Sequence, residues 1–173
     1  MNDRIEIYTD GACSPNPGPG GYGAIVVRDG RKSELKGGFR NTTNNRMEIL
    51  AAIEGLKSLN GDGDGEITVY SDSRYVVDML NGGYAAKWRA NGWMLSNRKQ
   101  AQNIDLWTQL LGLTQEKPIR FEWVKGHNEH PENERCDEMA VEARQQDDLP
   151  PDEGYEATVA QETIQLSLFD LPV

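Results

Sequence analysis

Cysteine is nearly absent from this 173-residue chain: Cys13 and Cys136 are the only two, and they form neither a CxxC pair nor a disulfide-rich pattern. A cysteine zinc site or a structural bridge is therefore disfavoured, and both thiols read as reduced packing residues. Long apolar runs are missing too. Nowhere do eighteen or more apolar residues follow one another, which argues against a membrane-spanning helix. Met1 leads straight into the alternating segment Ile5 to Asp10 without a basic-then-apolar leader, so a cytoplasmic setting is expected. No internal repeat is visible, and nothing demands more than a monomer.

Positive charge is also scarce. Against 28 acidic residues stand 18 basic ones, a net charge of -10, which is at odds with the basic footprint of proteins that grip phosphates. The deficit is local, however. From Asp147 onward the chain carries seven acidic residues (Asp147, Asp148, Asp152, Glu153, Glu156, Glu162, Asp170) and no Lys or Arg. Without that stretch, 28 less 7 leaves 21 acidic residues against 18 basic, a net of -3. Four of the remaining carboxylates are candidate metal ligands, so the rest is close to balanced.

What is present is one α/β pattern. Ile5, Ile7 and Thr9 alternate with Glu6, Tyr8 and Asp10, the period of a half-buried strand. The Gly/Pro-rich stretch Ser14 to Gly21 predicts a turn, and Tyr22 to Arg28 and Arg31 to Phe39 two strands joined by a hairpin at Asp29-Gly30. Thr42 or Thr43 can cap a helix with Ile49, Ile53 and Leu56 in an apolar stripe, Leu50 and Leu59 beside it, and Glu48 in its first turn. Asn60 to Gly65 ends that helix, and Ile67 to Tyr70 forms a strand that delivers Asp72 just past its end. Helical segments follow over Ser73 to Leu80, Tyr84 to Ala90 and Ala101 to Leu113, then a strand over Ile119 to Val124 and a helix over Asn133 to Gln146. A strand, a helix and a strand in succession imply a parallel crossover. The expected architecture is a mixed five-stranded sheet flanked by helices over residues 1–146, with a flexible acidic tail over 147–173.

Asp10 and Asp72 fall at strand ends, Glu48 on a helix facing the sheet, and Asp137 on the last helix. Carboxylate oxygens suit Mg²⁺ and Mn²⁺, and two such ions about 3.5–4 Å apart can activate a water and stabilise the leaving oxygen of a phosphodiester. Spacing alone leaves each acid open to a simpler reading as a helix cap or a solvated side chain.

Six runs sharpen the reading: Tyr8-Thr9-Asp10-Gly11-Ala12-Cys13, Gly18-Pro19-Gly20-Gly21-Tyr22-Gly23, Thr42-Thr43-Asn44-Asn45-Arg46-Met47-Glu48, Ser71-Asp72-Ser73, Trp123-Val124-Lys125-Gly126-His127 and Pro131-Glu132-Asn133-Glu134-Arg135-Cys136-Asp137. In order and spacing, across nearly all of residues 4 to 146, they closely resemble bacterial type 1 ribonuclease H. The resemblance implies the ribonuclease H-like fold and endonucleolytic hydrolysis of the RNA strand of RNA/DNA hybrids, leaving 5′-phosphate and 3′-hydroxyl ends. It implies Asp10, Glu48, Asp72 and Asp137 as ligands of two Mg²⁺ ions, with Mn²⁺ as an alternative, and His127 as a loop histidine assisting proton transfer or release. His130 has no matching role. Asn16, Thr43, Asn44 and Asn45 match the family's hybrid contacts, where short polar groups sense a 2′-hydroxyl.

Lys87, Trp88 and Arg89, then Trp93, Arg98 and Lys99, interleave cations and rings as a nucleic-acid grip does. They resemble the family's basic protrusion, though thinner in charge, and Trp88 and Trp93 could equally be helix-packing residues. Asn41 stands where the pattern usually has Arg, with Arg40 one place earlier. In the tail, Gln165-Leu166-Ser167-Leu168-Phe169 resembles the short peptide with which bacterial replication and repair proteins dock onto the sliding clamp; Gln165, Leu166, Leu168 and Phe169 are its contact candidates. The alternative is that these residues pack back on the domain. Two rival functions remain at this level: a resolvase-like or integrase-like metal nuclease, and a non-catalytic hybrid-binding module.

Overall fold

The alternation along Ile5 to Asp10 becomes the central strand of the sheet. A computed structural model of the chain describes residues 4–60, 65–126 and 130–169, with side chains through 166. Strand β1 (Arg4–Cys13) pairs antiparallel with β2 (Gly18–Arg28), which pairs antiparallel with β3 (Arg31–Thr42). On its other side β1 runs parallel to β4 (Glu66–Ser71), and β4 parallel to β5 (Ile119–Trp123), for an order β3-β2-β1-β4-β5. The mixed five-stranded sheet is as expected. Several elements differ at their edges: β1 runs on to Cys13 and β3 to Thr42, and β2 begins at Gly18, so only Ser14 to Pro17 of the Gly/Pro stretch turn the chain.

Helix α1 (Asn44–Lys57) starts at Thr43, whose hydroxyl accepts from the Arg46 N–H at 3.3 Å, a cap of the kind worth about 1 kcal/mol. Ile49, Ile53 and Leu56 are buried as the stripe requires, but so are Met47, Ala51 and Ala52, because α1 is covered on several sides. It lies on β1 and β2 and is packed in turn by α4 (Ile104–Glu116). That face of the sheet holds the main core, with Ile5, Ile7, Ile67 and Val69 from the strands and Trp107 and Leu110 from α4. Helices α2 (Arg74–Asn81) and α3 (Tyr84–Ala90) close its edge. The opposite face carries α5 (Pro131–Arg144), which packs on β1, β2 and β3 through Cys136, Met139 and Ile25.

The tail departs from expectation. Residues Glu153–Phe169 form a helix, α6, where a structureless segment was expected. Asp152 is the reason: its carboxylate accepts from the Tyr155 N–H at 3.2 Å and its carbonyl from the Glu156 N–H at 2.9 Å, so it caps the first turn. The same carboxylate is buried, held by Arg46 Nε at 2.7 Å, Arg46 Nη2 at 2.9 Å and the Thr42 hydroxyl at 2.6 Å. Arg46 in turn makes a two-pronged bond to Asp105 on α4, at 2.8 and 2.7 Å. Arg40 adds a second fork to Glu156, at 2.9 and 2.8 Å. Beyond Glu156 the described side chains of α6 are exposed. Among the described residues no helix is long and apolar enough to cross a membrane.

Candidate active site

The parallel pairing of β1 and β4 stops with Thr9 opposite Ser71, while β1 runs on beside β2 to Cys13, so Asp10, within β1, and Asp72, just past β4, are delivered to one place at the end of the parallel part of the sheet. Glu48 reaches them from α1, as the fifth residue of that helix rather than in its first turn. The approach needs a residue without a side chain at position 11: a Cβ there would lie 2.5 Å from the Glu48 nitrogen and 2.7 Å from the Met47 carbonyl carbon. Gly11 thus sets how closely α1 can pack on β1, and with it the distance between Glu48 and Asp10.

Asp10, Glu48 and Asp72 each present an oxygen within 4.8 Å of the others, and both Asp10 and Glu48 are buried. Such a cluster opposes its own ionisation. Asp10 is pushed up to about 8, first by burial and then by the charges of Asp72 and Asp137, against a bond from the Gly11 N–H at 2.8 Å. Glu48 is raised well above the carboxylate range, by burial and then by Asp10 and Asp72. Its Oε2 is buried with no hydrogen-bond partner. An orphaned carboxylate oxygen facing two further acids is what a hard divalent cation satisfies. The donor set fits Mg²⁺ or Mn²⁺ far better than zinc, since thiol or imidazole ligands are lacking among the three.

Asp137 lies outside this tight trio, half-buried on α5, but near enough for its charge to raise Asp10. One turn before it, the buried Asn133 donates to the Thr9 carbonyl at 3.4 Å and ties α5 to the strand that carries Asp10. His127 falls outside the described residues; His130 is half-buried at the N-cap of α5.

The substrate-contact candidates divide. Asn16 accepts from the Asn44 N–H at 3.1 Å, which couples the Gly/Pro turn to the start of α1. Asn16, Thr43 and Asn45 line one groove with Lys99, and Tyr155, Thr158 and Glu162 of α6 form its far side. Lys87 and Arg98 are exposed elsewhere, Arg89 and Trp88 half-buried. Trp93 packs against the main core, so for this ring the packing alternative holds, and its backbone N–H donates to the Trp88 carbonyl at 2.6 Å. Gln165 and Leu166 are exposed on α6; the side chains of Leu168 and Phe169 lie outside the described residues.

Two buried polar residues, Arg46 and Asn133, escape sequence reasoning as structural keys although both sit in the six runs. A buried Arg has no local signature, because its partners are 59 and 106 positions away. The helix of the tail did leave a signal, namely Asp152 followed by Glu153 and Glu156, a cap with acids in the first turn.

Known proteins resemble this chain in sequence and in fold. The model of the family described as RNase H matches residues 2–145. A protein named Ribonuclease H from Rippkaea orientalis is 53% identical over 159 residues, covering 90% of this chain and 96% of its own. Among solved structures, LC9-RNase H1, described as a type 1 RNase H with the type 2 active-site motif, superposes with a TM-score of 0.71 at 26% identity over 83% of this chain and 73% of that one. LC11-RNase H1, solved in complex with an RNA/DNA hybrid, gives 0.64 at 28% identity over 80% and 95%. Matched from residue 2 to 145 and carrying a converged trio of acids where the sheet ends, the chain belongs to the RNase H family.

Proposed function

We propose that this chain is an endonuclease that hydrolyses the RNA strand of RNA/DNA hybrids with two divalent cations, Mg²⁺ in the first instance. The observation that carries the reading is the convergence of Asp10, Glu48 and Asp72 with the Glu48 oxygen left unpartnered in the interior. Asp10, Glu48, Asp72 and Asp137 would hold the cations, which when bound supply Lewis acidity toward the phosphodiester and the counter-charge the acids lack. The chain's own groups do the rest. Water adds to phosphorus, the bond to the 3′ oxygen breaks, and the leaving oxygen takes a proton, for which His127 is the candidate donor. The products are a 5′-phosphate and a 3′-hydroxyl. Asn16, Thr43, Asn44 and Asn45 position the strand whose sugars carry 2′-hydroxyls, with Lys87, Arg89, Arg98 and Lys99 on the phosphates and the Trp88 ring on a sugar. A monomer in the cytoplasm suffices for this chemistry.

The experiment is to assay a hybrid, an RNA duplex and a DNA duplex side by side, with and without Mg²⁺. Cleavage of the hybrid alone, and only with metal, is expected. Cleavage of DNA duplex would favour the resolvase-like reading, and binding without cleavage a hybrid-binding module.

A second reading concerns a partner. Leu166 is 67% and Ile164 60% exposed at the end of α6, and apolar side chains left in water there are consistent with a partner that covers them. The run Gln165 to Phe169 fits the bacterial sliding clamp, and a tether of this kind would raise enzyme concentration at replicating DNA without altering the active site. Full-length protein should bind the clamp, and a Leu168→Ala, Phe169→Ala double variant should not, while both cleave hybrid equally in its absence.

A further inference from the structure

Asp72 stands just beyond the end of β4, and its carboxylate meets those of Asp10 and Glu48 within 4.8 Å. Three contacts from the end of β5 surround it. The Val124 N–H donates to the Ser71 carbonyl at 3.0 Å, one residue before Asp72. The indole N–H of Trp123 donates to the carbonyl of Asp72 itself, also at 3.0 Å. Gly126 backs the side chain so closely that a Cβ there would lie 2.5 Å from Asp72 Oδ2.

Trp123 is an odd residue to find in this place. It is the last residue of β5 and 38% exposed, so burial does not explain a tryptophan there. What its ring does contact is the guanidinium of Arg74, 3.7 Å above the ring centre, from the first residue of α2. Arg74 reaches only 3.9 Å from Asp78, so its closer engagement is with the ring. Ser71, Asp72, the α2 cap Ser73 and Arg74 are consecutive, and both ends of this short segment are thereby fastened to β5: Ser71 and Asp72 through hydrogen bonds, Arg74 through the stacked cation.

We propose that Trp123 is a positioning residue of the metal site, fixing the main chain of Asp72 through its indole N–H, with Arg74 clamping the indole in the orientation that makes this bond. The inference rests on the metal-site reading above. It acts on where the Asp72 carboxylate points, and a group that orients a metal ligand affects metal affinity before anything else.

The test uses full-length protein and Mg²⁺ titration by calorimetry in the absence of substrate, beside metal-free melting temperature and the KM for hybrid at saturating Mg²⁺. Trp123→Phe keeps an aromatic ring under Arg74 and removes the N–H together with the five-membered half of the indole. It is expected to weaken Mg²⁺ binding by about tenfold, the low end for groups that orient a metal ligand, with melting temperature and KM unchanged. Arg74→Gln should weaken it in the same direction by about two- to fivefold, the worth of an exposed cation on a ring. Wild-type Mg²⁺ affinity in Trp123→Phe overturns the proposal, as does a fall in melting temperature that accounts for the weakened binding. Absence of Mg²⁺ binding by the unaltered protein would instead overturn the metal-site reading itself.

Discussion

Helix α1 buries two charged side chains two residues apart, Arg46 and Glu48, and their surroundings are opposites. Around Arg46 the charges are answered from within the chain. Burial opposes its charge, but hydrogen bonds to Asp105 and Asp152 outweigh that and raise its pKa. Asp105 is likewise held below the usual carboxylate range, since its bonds to Arg46 outweigh the cost of burial. Around Glu48, burial and the charges of Asp10 and Asp72 prevail over hydrogen bonds from Gly11 and Asn44 and push it upward, as burial and neighbouring acids do Asp10. The same fold therefore contains a closed ionic cluster that fastens α6 and α4 to α1, and an open one whose acids raise one another. Buried acids satisfied by the protein hold structure together; buried acids left unsatisfied point to a cation from outside.

Breaking the open cluster should have the largest effect. Asp10→Asn removes an anionic ligand shared by the site, and hybrid cleavage in Mg²⁺ should fall on the order of a thousandfold or more, equivalent to about 4 kcal/mol of transition-state stabilisation. In chelator near neutral pH the same variant should melt higher than the unaltered chain, because a buried amide folds without the proton that Asp10 must take up. Substantial cleavage by Asp10→Asn in steady-state assays would show that the acids do not act through metal.

Breaking the closed cluster should instead cost stability. Arg46→Ala leaves Asp152 buried without its cation and is expected to lose about 3–5 kcal/mol in denaturant unfolding. Helical signal in circular dichroism should drop as α6 loses its anchor. A loss under 1 kcal/mol would mean that the network contributes little.

The two clusters should also respond to pH with opposite signs. In the metal-free protein Asp10 binds its proton up to about pH 8 when folded but only to 3.8 when unfolded. The folded state then holds the extra proton throughout that window, so stability falls as pH rises from about 4 to about 8. Saturating Mg²⁺ should abolish the slope. Asp105, lowered on folding, contributes stability above its unfolded value that is lost as pH falls through its folded one. Thermal unfolding across pH with chelator and with Mg²⁺ measures both. A flat metal-free profile between pH 4 and 8 would contradict the account of the open cluster.

The cations of the protrusion are a third case, three of them exposed and Arg89 half-buried. Replacing Lys87, Arg89, Arg98 and Lys99 by Ala should raise KM and flatten its salt dependence, by up to about 0.7–0.9 in logarithmic slope for each phosphate the protein no longer neutralises. Arg40 should be silent in this assay, since Glu156 already holds it in a fork. An unchanged salt slope in the fourfold variant would remove the protrusion from the grip.

Much of the sheet was legible because strand alternation and hairpin chemistry are local. Ile5, Ile7 and Thr9 face one way in β1, and Asp29 and Gly30 turn the chain between β2 and β3 with positive φ at both, as their types suggest. The same locality explains the placing of Asp72 past a strand end and the cap at Thr43; Asp10, expected at a strand end, lies within β1, because the Gly-rich start of β2 continues the pairing to Cys13. Trp93 was ambiguous for a physical reason: an aromatic ring among basic residues suits a nucleic-acid surface and a core edge equally, and only its neighbours in space distinguish them.

The amino-acid sequence by itself determined which elements carry the acids, and how many cations are left to oppose them, because period, caps and charge are properties of short stretches. Tertiary structure alone decided that three of those acids converge within 4.8 Å, that Arg46 answers Asp152 across 106 positions, and that Asp152 starts a helix where the composition suggested none. Those outcomes depend on which surfaces meet, and burial turns an ordinary carboxylate or guanidinium into a strongly interacting group only once they have met.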